Sequence, residues 1–167
     1  GAVLYATQFI PEFGVGYGIW AAVFNSISAF CNAGMDIVKE DSFRSYVTNP
    51  VINFTTMALI VLGGLGFIVW KDLWQSMKKL IKEKIPVKRI VQQLKFQTKI
   101  VLSISTFLIL FGTVLIFLFE YHNPATMGNL SLPGKVMASL FQAVTTRTAG
   151  FETVAQGALT DASSLVS

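Results

Sequence analysis

The sequence predicts an all-α membrane protein assembled from repeated units of helix, re-entrant loop and helix. Three observations carry that expectation. The composition is apolar, with 53% hydrophobic residues, 13% charged residues and a mean hydropathy of +0.59, whereas a soluble globule carries about 25% charge. Two uncharged stretches, residues 51–70 and 100–119, are long enough to cross a bilayer, since about 20 residues match a hydrocarbon core about 30 Å thick. A short helix-and-turn pattern near the N-terminus returns near the C-terminus.

The elements follow in order. Residues 1–50 hold the end of a helix, a first short helix and a first loop. The stretch 14–30 is too short and too rich in Gly, Ser and Asn for a comfortable span, and short apolar segments are more often re-entrant or buried. Its entry, Gly14-Val15-Gly16-Tyr17-Gly18, follows no strand and completes no dinucleotide fingerprint. A transmembrane helix over 51–70 is preceded by Asn49-Pro50 and ends at Trp70-Lys71-Asp72, with Trp74 one turn on.

Residues 71–99 carry most of the 13 basic residues: Lys71, Lys78, Lys79, Lys82, Lys84, Lys88, Arg89, Lys95 and Lys99, against only Asp72 and Glu83. Short basic loops stay in the cytoplasm, so helix 51–70 runs inward and a second transmembrane helix over 100–121 runs outward. Within the loop, Met77, Leu80 and Ile81, then Val87, Ile90, Val91 and Leu94, recur at helical spacing on either side of Pro86. Two amphipathic helices on the inner surface would make either a docking site for anionic lipid or a cytosolic subunit, or an ordinary positive-inside loop. Residues 122–155 give an outer loop, a second short helix over 134–144 and a second loop, and 156–167 begin a further helix. The chain starts without methionine in an apolar run, so it is expected to be part of a longer membrane protein.

Self-comparison aligns Val23-Phe24-Asn25-Ser26-Ile27-Ser28-Ala29 with Leu140-Phe141-Gln142-Ala143-Val144-Thr145-Thr146. It also aligns Asn32-Ala33-Gly34-Met35-Asp36-Ile37-Val38 with Thr148-Ala149-Gly150-Phe151-Glu152-Thr153-Val154, with one residue of slip between the two blocks. Each copy has a short apolar helix, a hydroxyl-rich turn, an Ala-Gly pair, a large apolar residue and an acid. Both copies lie on the outer side, so each element enters and leaves there. Irregular backbone at membrane depth must line a cavity or be buried in protein. Glycine permits dihedrals that turn successive carbonyls to one axis, where they replace the water shell of a cation, and the short helix aims its negative end at the same point. The alternative is that Gly34 and Gly150 are tight turns between helices.

Other signals are weaker or exclude function classes. One cysteine, Cys31, and one histidine, His122, leave no multi-cysteine zinc site and no multi-histidine metal centre. The net charge of +4 is gathered in residues 71–99, so no nucleic acid partner is expected. Neither span carries an ionisable residue, which weighs against a membrane enzyme. Asn123-Pro124-Ala125 matches a water-channel tripeptide but follows the outer end of a full span, where a helix stop and turn is the better reading. Asn53-Phe54-Thr55 lies inside a span and is inert as a glycosylation acceptor; Asn129-Leu130-Ser131 lies on the outer side. Gly63, Gly64 and Gly66 are expected to allow close helix packing, Asp36 and Glu152 to draw cations to the outer mouth, and Arg147 either to set local charge near the ion path or, the preferred reading, to form a structural pair with an acid.

Ser28-Ala29-Phe30-Cys31-Asn32-Ala33-Gly34-Met35 and Val144-Thr145-Thr146-Arg147-Thr148-Ala149-Gly150-Phe151 resemble the second and third pore loops of the Trk/Ktr/HKT superfamily of potassium transporters, most closely the Ktr membrane subunit. Leu62-Gly63-Gly64-Leu65-Gly66-Phe67 with Trp70, and Lys99-Ile100-Val101-Leu102 leading to Glu120-Tyr121, resemble its flanking helices. The resemblance implies a potassium-channel-like pore in which Gly34 and Gly150 are two of four filter glycines. Asn32, Ala33, Gly34, Thr148, Ala149 and Gly150 then bind the ion. It further implies potassium as the transported ion with sodium as a second candidate, a homodimer in the cell membrane surrounded by lipid, a cytosolic nucleotide-binding regulatory subunit, and no enzymatic chemistry. Cys31 and Met35 depart from the usual Asn and Phe, which bears on packing behind the filter rather than on the ion. A structural or assembly subunit without an ion filter is the alternative.

Overall fold

The structure, a computed structural model of the 167-residue chain, describes all residues except 39–41, 84–93, 129, 148 and 167. Among the described residues every regular element is helical: α1 (Ala2–Phe13), α2 (Val15–Phe30), α3 (Pro50–Gly64), α4 (Phe67–Glu83), α5 (Phe96–Glu120), α6 (Leu132–Thr145) and α7 (Asp161–Val166), with single 3-10 turns at Arg44–Tyr46 and Gln156–Ala158. The chain divides into two compact units, residues 1–64 with 109–167, and residues 65–108.

In the larger unit α1 packs on α2 and α3, and α3 packs on α2 and α6. Tyr5 and Phe9, one turn apart on α1, are fully buried and stack with ring centroids 5.5 Å apart. The Tyr5 hydroxyl meets Thr56 Oγ1 at 2.6 Å, joining α1 to α3. Phe43 and Tyr46 extend this aromatic core from the segment after the first loop. The start of α3 is fixed locally: Asn49 Oδ1 accepts from the amides of Val51 and Ile52 at 3.0 and 3.3 Å, and Pro50 has no N–H to leave unpaired. Asn53, fully buried, donates to the carbonyls of Tyr46 and Val47, which accounts for an asparagine inside an apolar helix.

The expected unbroken helix over 51–70 is interrupted. Helix α3 ends at Gly64, and α4 begins at Phe67 and runs to Glu83. Gly66 holds φ +78°, a left-handed conformation that ends a helix and that glycine adopts at little cost. The sequence is apolar on both sides of this break, so hydropathy does not reveal it. Gly63 serves the close packing expected of it, since a Cβ there would lie 1.8 Å from the Phe30 carbonyl oxygen. The basic stretch therefore starts as a continuation of α4, on which Trp74 and Met77 are exposed. The second amphipathic segment, Val87 to Val91, lies outside the described residues.

Within the smaller unit Asp72 is buried and accepts from the Lys95 amide at 2.9 Å, immediately before α5. A carboxylate at a helix N-terminus meets unpaired N–H groups and the positive end of the dipole. The Thr98 hydroxyl, the Lys95 amide and the charges of Lys95 and Lys79 hold its carboxyl below the ordinary 3.8, against the effect of burial. Helix α5 is 25 residues long and exposes Ile104, Phe107, Leu110, Phe111, Val114 and Leu118. It is long and apolar enough to cross a membrane.

At the far end of α5, Glu120 follows a long apolar run and is fully buried. One carboxylate oxygen accepts from Asn123 Nδ2 at 2.7 Å and Thr126 Oγ1 at 2.5 Å; the other accepts from the Thr160 amide at 2.8 Å and its hydroxyl at 2.7 Å. A negative charge at a helix C-terminus opposes the dipole, and a buried charge is tolerated only when well hydrogen-bonded. Glu120 thus fastens the turn at 121–128 to the entry of α7. Asn123-Pro124-Ala125 forms that turn, with Asn123 Oδ1 accepting from the Ala125 amide.

Two outcomes follow from these carboxylates. Glu120→Ala leaves four donors without their acceptor and is expected to lower the unfolding free energy by about 2–4 kcal/mol, measurable by denaturation of the detergent-solubilised protein. Because the folded pKa of Asp72 is depressed, its stabilisation is present above the unfolded value near 3.8 and is lost as pH falls through the lower folded value. Asp72→Asn should therefore lower the melting temperature at pH 7, with the gap to wild type closing under acid; an unchanged gap would contradict the assignment.

Candidate functional site: two matched loops

Helices α2 and α6 end in the same way. The Ser28 hydroxyl donates to the Met35 carbonyl at 2.5 Å, and the Thr145 hydroxyl donates to the Phe151 carbonyl at 2.8 Å. Ser28 and Thr145 are aligned positions of the repeat, as are Met35 and Phe151. The Ala33 amide donates to the Ser28 carbonyl at 2.9 Å, and the Ala149 amide to the Thr145 carbonyl at 2.9 Å. The first loop holds one more residue than the second between these points, which is the slip in the alignment. Each loop is thus closed twice onto its helix end, by an amide before the glycine and by a carbonyl after it.

Between the two closures stand Gly34 at φ +68° and Gly150 at φ +82°. Both occupy the left-handed region, where a side chain adds about 1–2 kcal/mol of strain. The two loops also meet. A Cβ on Gly34 would lie 1.8 Å from the Ala149 carbonyl oxygen and 3.1 Å from Gly150 Cα, and one on Gly150 would lie 3.8 Å from Gly34 Cα. Gly34, Ala149 and Gly150 are therefore brought together as backbone against backbone. Asn32 is half-buried at φ +53°, itself left-handed, and Ala33 is exposed. Thr148 lies outside the described residues. Among the described residues no cluster of His, Cys, Asp or Glu could hold a metal ion.

Beyond the glycines the repeats diverge. Phe151 is fully buried and stacks on Phe43, with centroids 5.1 Å apart and planes 3° from parallel. Its counterpart Met35 is 60% exposed and Cys31 is exposed. Glu152, expected with Asp36 as a matched pair of acids at an outer mouth, is paired with Arg44 at 2.6 Å. The Tyr17 hydroxyl donates to the Ile37 carbonyl. The Phe43–Phe151 stack and the Arg44–Glu152 pair were not foreseen, because partners so distant in sequence leave no periodic signal.

Residues 2–166 match the family described as TrkH, cation transport protein. The chain belongs to the TrkH family. Among its relatives, it is 41% identical over 154 residues to the Ktr system potassium uptake protein B of Vibrio alginolyticus, covering 92% of this chain and 31% of that protein. It is 34% identical to the Ktr system potassium uptake protein B of Bacillus subtilis, over 95% of this chain and 33% of the relative. It is 36% identical to the potassium/sodium uptake protein NtpJ of Enterococcus hirae, over 92% and 31%. The chain thus spans about a third of the length of these TrkH-family relatives, which are uptake proteins rather than enzymes.

The two glycines differ in their surroundings, and their substitution should differ accordingly. Gly34→Ala adds a collision with the Ala149 carbonyl to its left-handed strain and is expected to cost about 3 kcal/mol or more. Gly150→Ala meets only a contact at 3.8 Å and should cost about 1–2 kcal/mol. Thermal unfolding of both variants in detergent checks the order, and equal losses would contradict the loop contact.

Proposed function

We propose that this chain forms part of the pore of a potassium uptake protein in the cell membrane, with the backbone carbonyls of its two loops selecting the ion. The observation that carries this reading is the matched geometry of two aligned loops, each fastened to its helix end by a backbone amide before a left-handed glycine and by a hydroxyl after it, with the glycines face to face. The candidate ion-binding residues are Asn32, Ala33 and Gly34 in one loop and Thr148, Ala149 and Gly150 in the other. Carbonyl oxygens replace the hydration shell of a cation. The C-terminal ends of α2 and α6 add about half a negative charge each at the same place. Inward passage of a cation is driven by the membrane potential, worth about 2.3 kcal/mol per charge per 100 mV.

Family membership and charge support the remainder of the reading. Both loops face outward as re-entrant elements, and residues 71–99 face the cytoplasm under the positive-inside rule. The protein works as a multi-pass homodimer in lipid with a cytosolic nucleotide-binding regulatory subunit, and the basic stretch from Lys71 to Lys99 is a contact for that subunit. Sodium is the second candidate ion, supported by the relative named for potassium/sodium uptake. A structural subunit without a filter gives no reason for the same hydroxyl-to-carbonyl bond to recur in two loops.

Rubidium uptake into proteoliposomes holding the intact transporter tests the proposal, with and without Gly150→Ser, under potassium or sodium competition. Potassium is expected to block uptake in the parent, and sodium to compete in the variant at equal protein content. A parent that takes up no rubidium, or a variant that merely loses protein, leaves Gly150 as a turn.

A further inference from the structure

Behind each loop stands a buried amide side chain that the described contacts do not use up. Asn25 lies three residues before Ser28 on α2, and Gln142 lies three residues before Thr145 on α6; the two are aligned positions of the repeat. Residues three apart on a helix share a face, so each amide sits on the face whose hydroxyl holds the loop. Both side chains are fully buried. Asn25 donates through Nδ2 to the Ala21 carbonyl at 2.9 Å, while among the described residues its Oδ1 has no partner. Neither Nε2 nor Oε1 of Gln142 has one among them. Leaving such groups unpaired costs about 1–3 kcal/mol each, and buried polar atoms are otherwise paired almost without exception. The same uncommon feature at the same position of both repeats calls for a shared cause.

The peptide unit supplies one. Its C=O and N–H point in opposite directions, so a loop that turns its carbonyls toward a cation turns its amides toward the helix behind it. Those N–H groups are then buried and need acceptors. Asn25 Oδ1 and Gln142 Oε1 are unspent acceptors on the required face, one per loop. We infer that Asn25 and Gln142 are positioning residues that accept hydrogen bonds from loop amides when the loops hold an ion, and so fix the carbonyl spacing that distinguishes potassium from sodium. They act through the loop backbone and do not touch the ion. This inference rests on the filter reading proposed above.

The test uses the intact transporter with Gln142→Met and Asn25→Leu, which fill the space without an acceptor, and Gln142→Glu, which keeps one. Two quantities are read: rubidium uptake under potassium or sodium competition, and the rise in melting temperature that potassium gives over sodium in detergent. At parental abundance, the Met and Leu variants should lose about tenfold in potassium preference, the discrimination carried by one unmade buried hydrogen bond, together with the potassium-specific rise. Gln142→Glu should retain both. Parental preference in Gln142→Met and Asn25→Leu would overturn the inference while leaving the filter intact. Loss of protein in all three variants would assign the amides to helix packing and also overturn it. A parent without potassium preference would remove the filter reading itself.

Discussion

The hydroxyl that ends each short helix is the constraint on which the loops depend. A glycine at φ near +70° has no preference of its own for that conformation strong enough to hold it. What holds it is that the chain is fastened to the helix end on both sides, by an amide at Ala33 or Ala149 and by the carbonyl of Met35 or Phe151. One residue between two fixed points has few ways to run, and a residue without a Cβ takes the left-handed turn at little cost. The hydroxyl, the Ala-Gly pair and the helix end are one device, and their joint recurrence is what makes the repeat a structural rather than a compositional fact.

Around that device the chain builds support that is not symmetric. The second loop is backed by an aromatic cluster running from Tyr5 and Phe9 through Phe43 to Phe151, and the Arg44–Glu152 pair ties it to the segment before α3. An exposed ion pair of this kind contributes at most about 1 kcal/mol, so the buried rings supply most of the anchoring. The first loop has Tyr17 against the Ile37 carbonyl and an outward-facing Met35. Farther away, two carboxylates do comparable structural work at opposite ends of α5: Asp72 holds the amide before its first turn, and Glu120 gathers four donors beyond its last.

The parts of this arrangement that were legible in the sequence are those that leave a local or periodic trace. The helical class follows from apolar runs, and the two loops follow from self-similarity and from Ala-Gly pairs flanked by hydroxyls. The break at Gly66 was not legible, because its glycine stands among other glycines and the hydropathy on both sides is that of a single span. Burial of Glu120 was also missed, since an acid after an apolar run reads as an interfacial residue unless its donors, Thr126 and Thr160, are known to fold back on it. The same limit applies to the Phe43 stack and the Arg44 pair, whose partners lie across the whole length of the chain.

The single residue by which the two loops differ in length has a consequence for how such a unit tolerates change. The extra residue lies between the helix-end hydroxyl and the alanine, whereas from the alanine to the stapled carbonyl the two copies are equal in length. Duplicated segments that diverge accumulate insertions where geometry is forgiving and reject them where it is not. The alanine therefore marks a boundary: upstream of it the chain absorbs an added residue by changing a four-residue amide closure into a five-residue one, and downstream of it every position is counted.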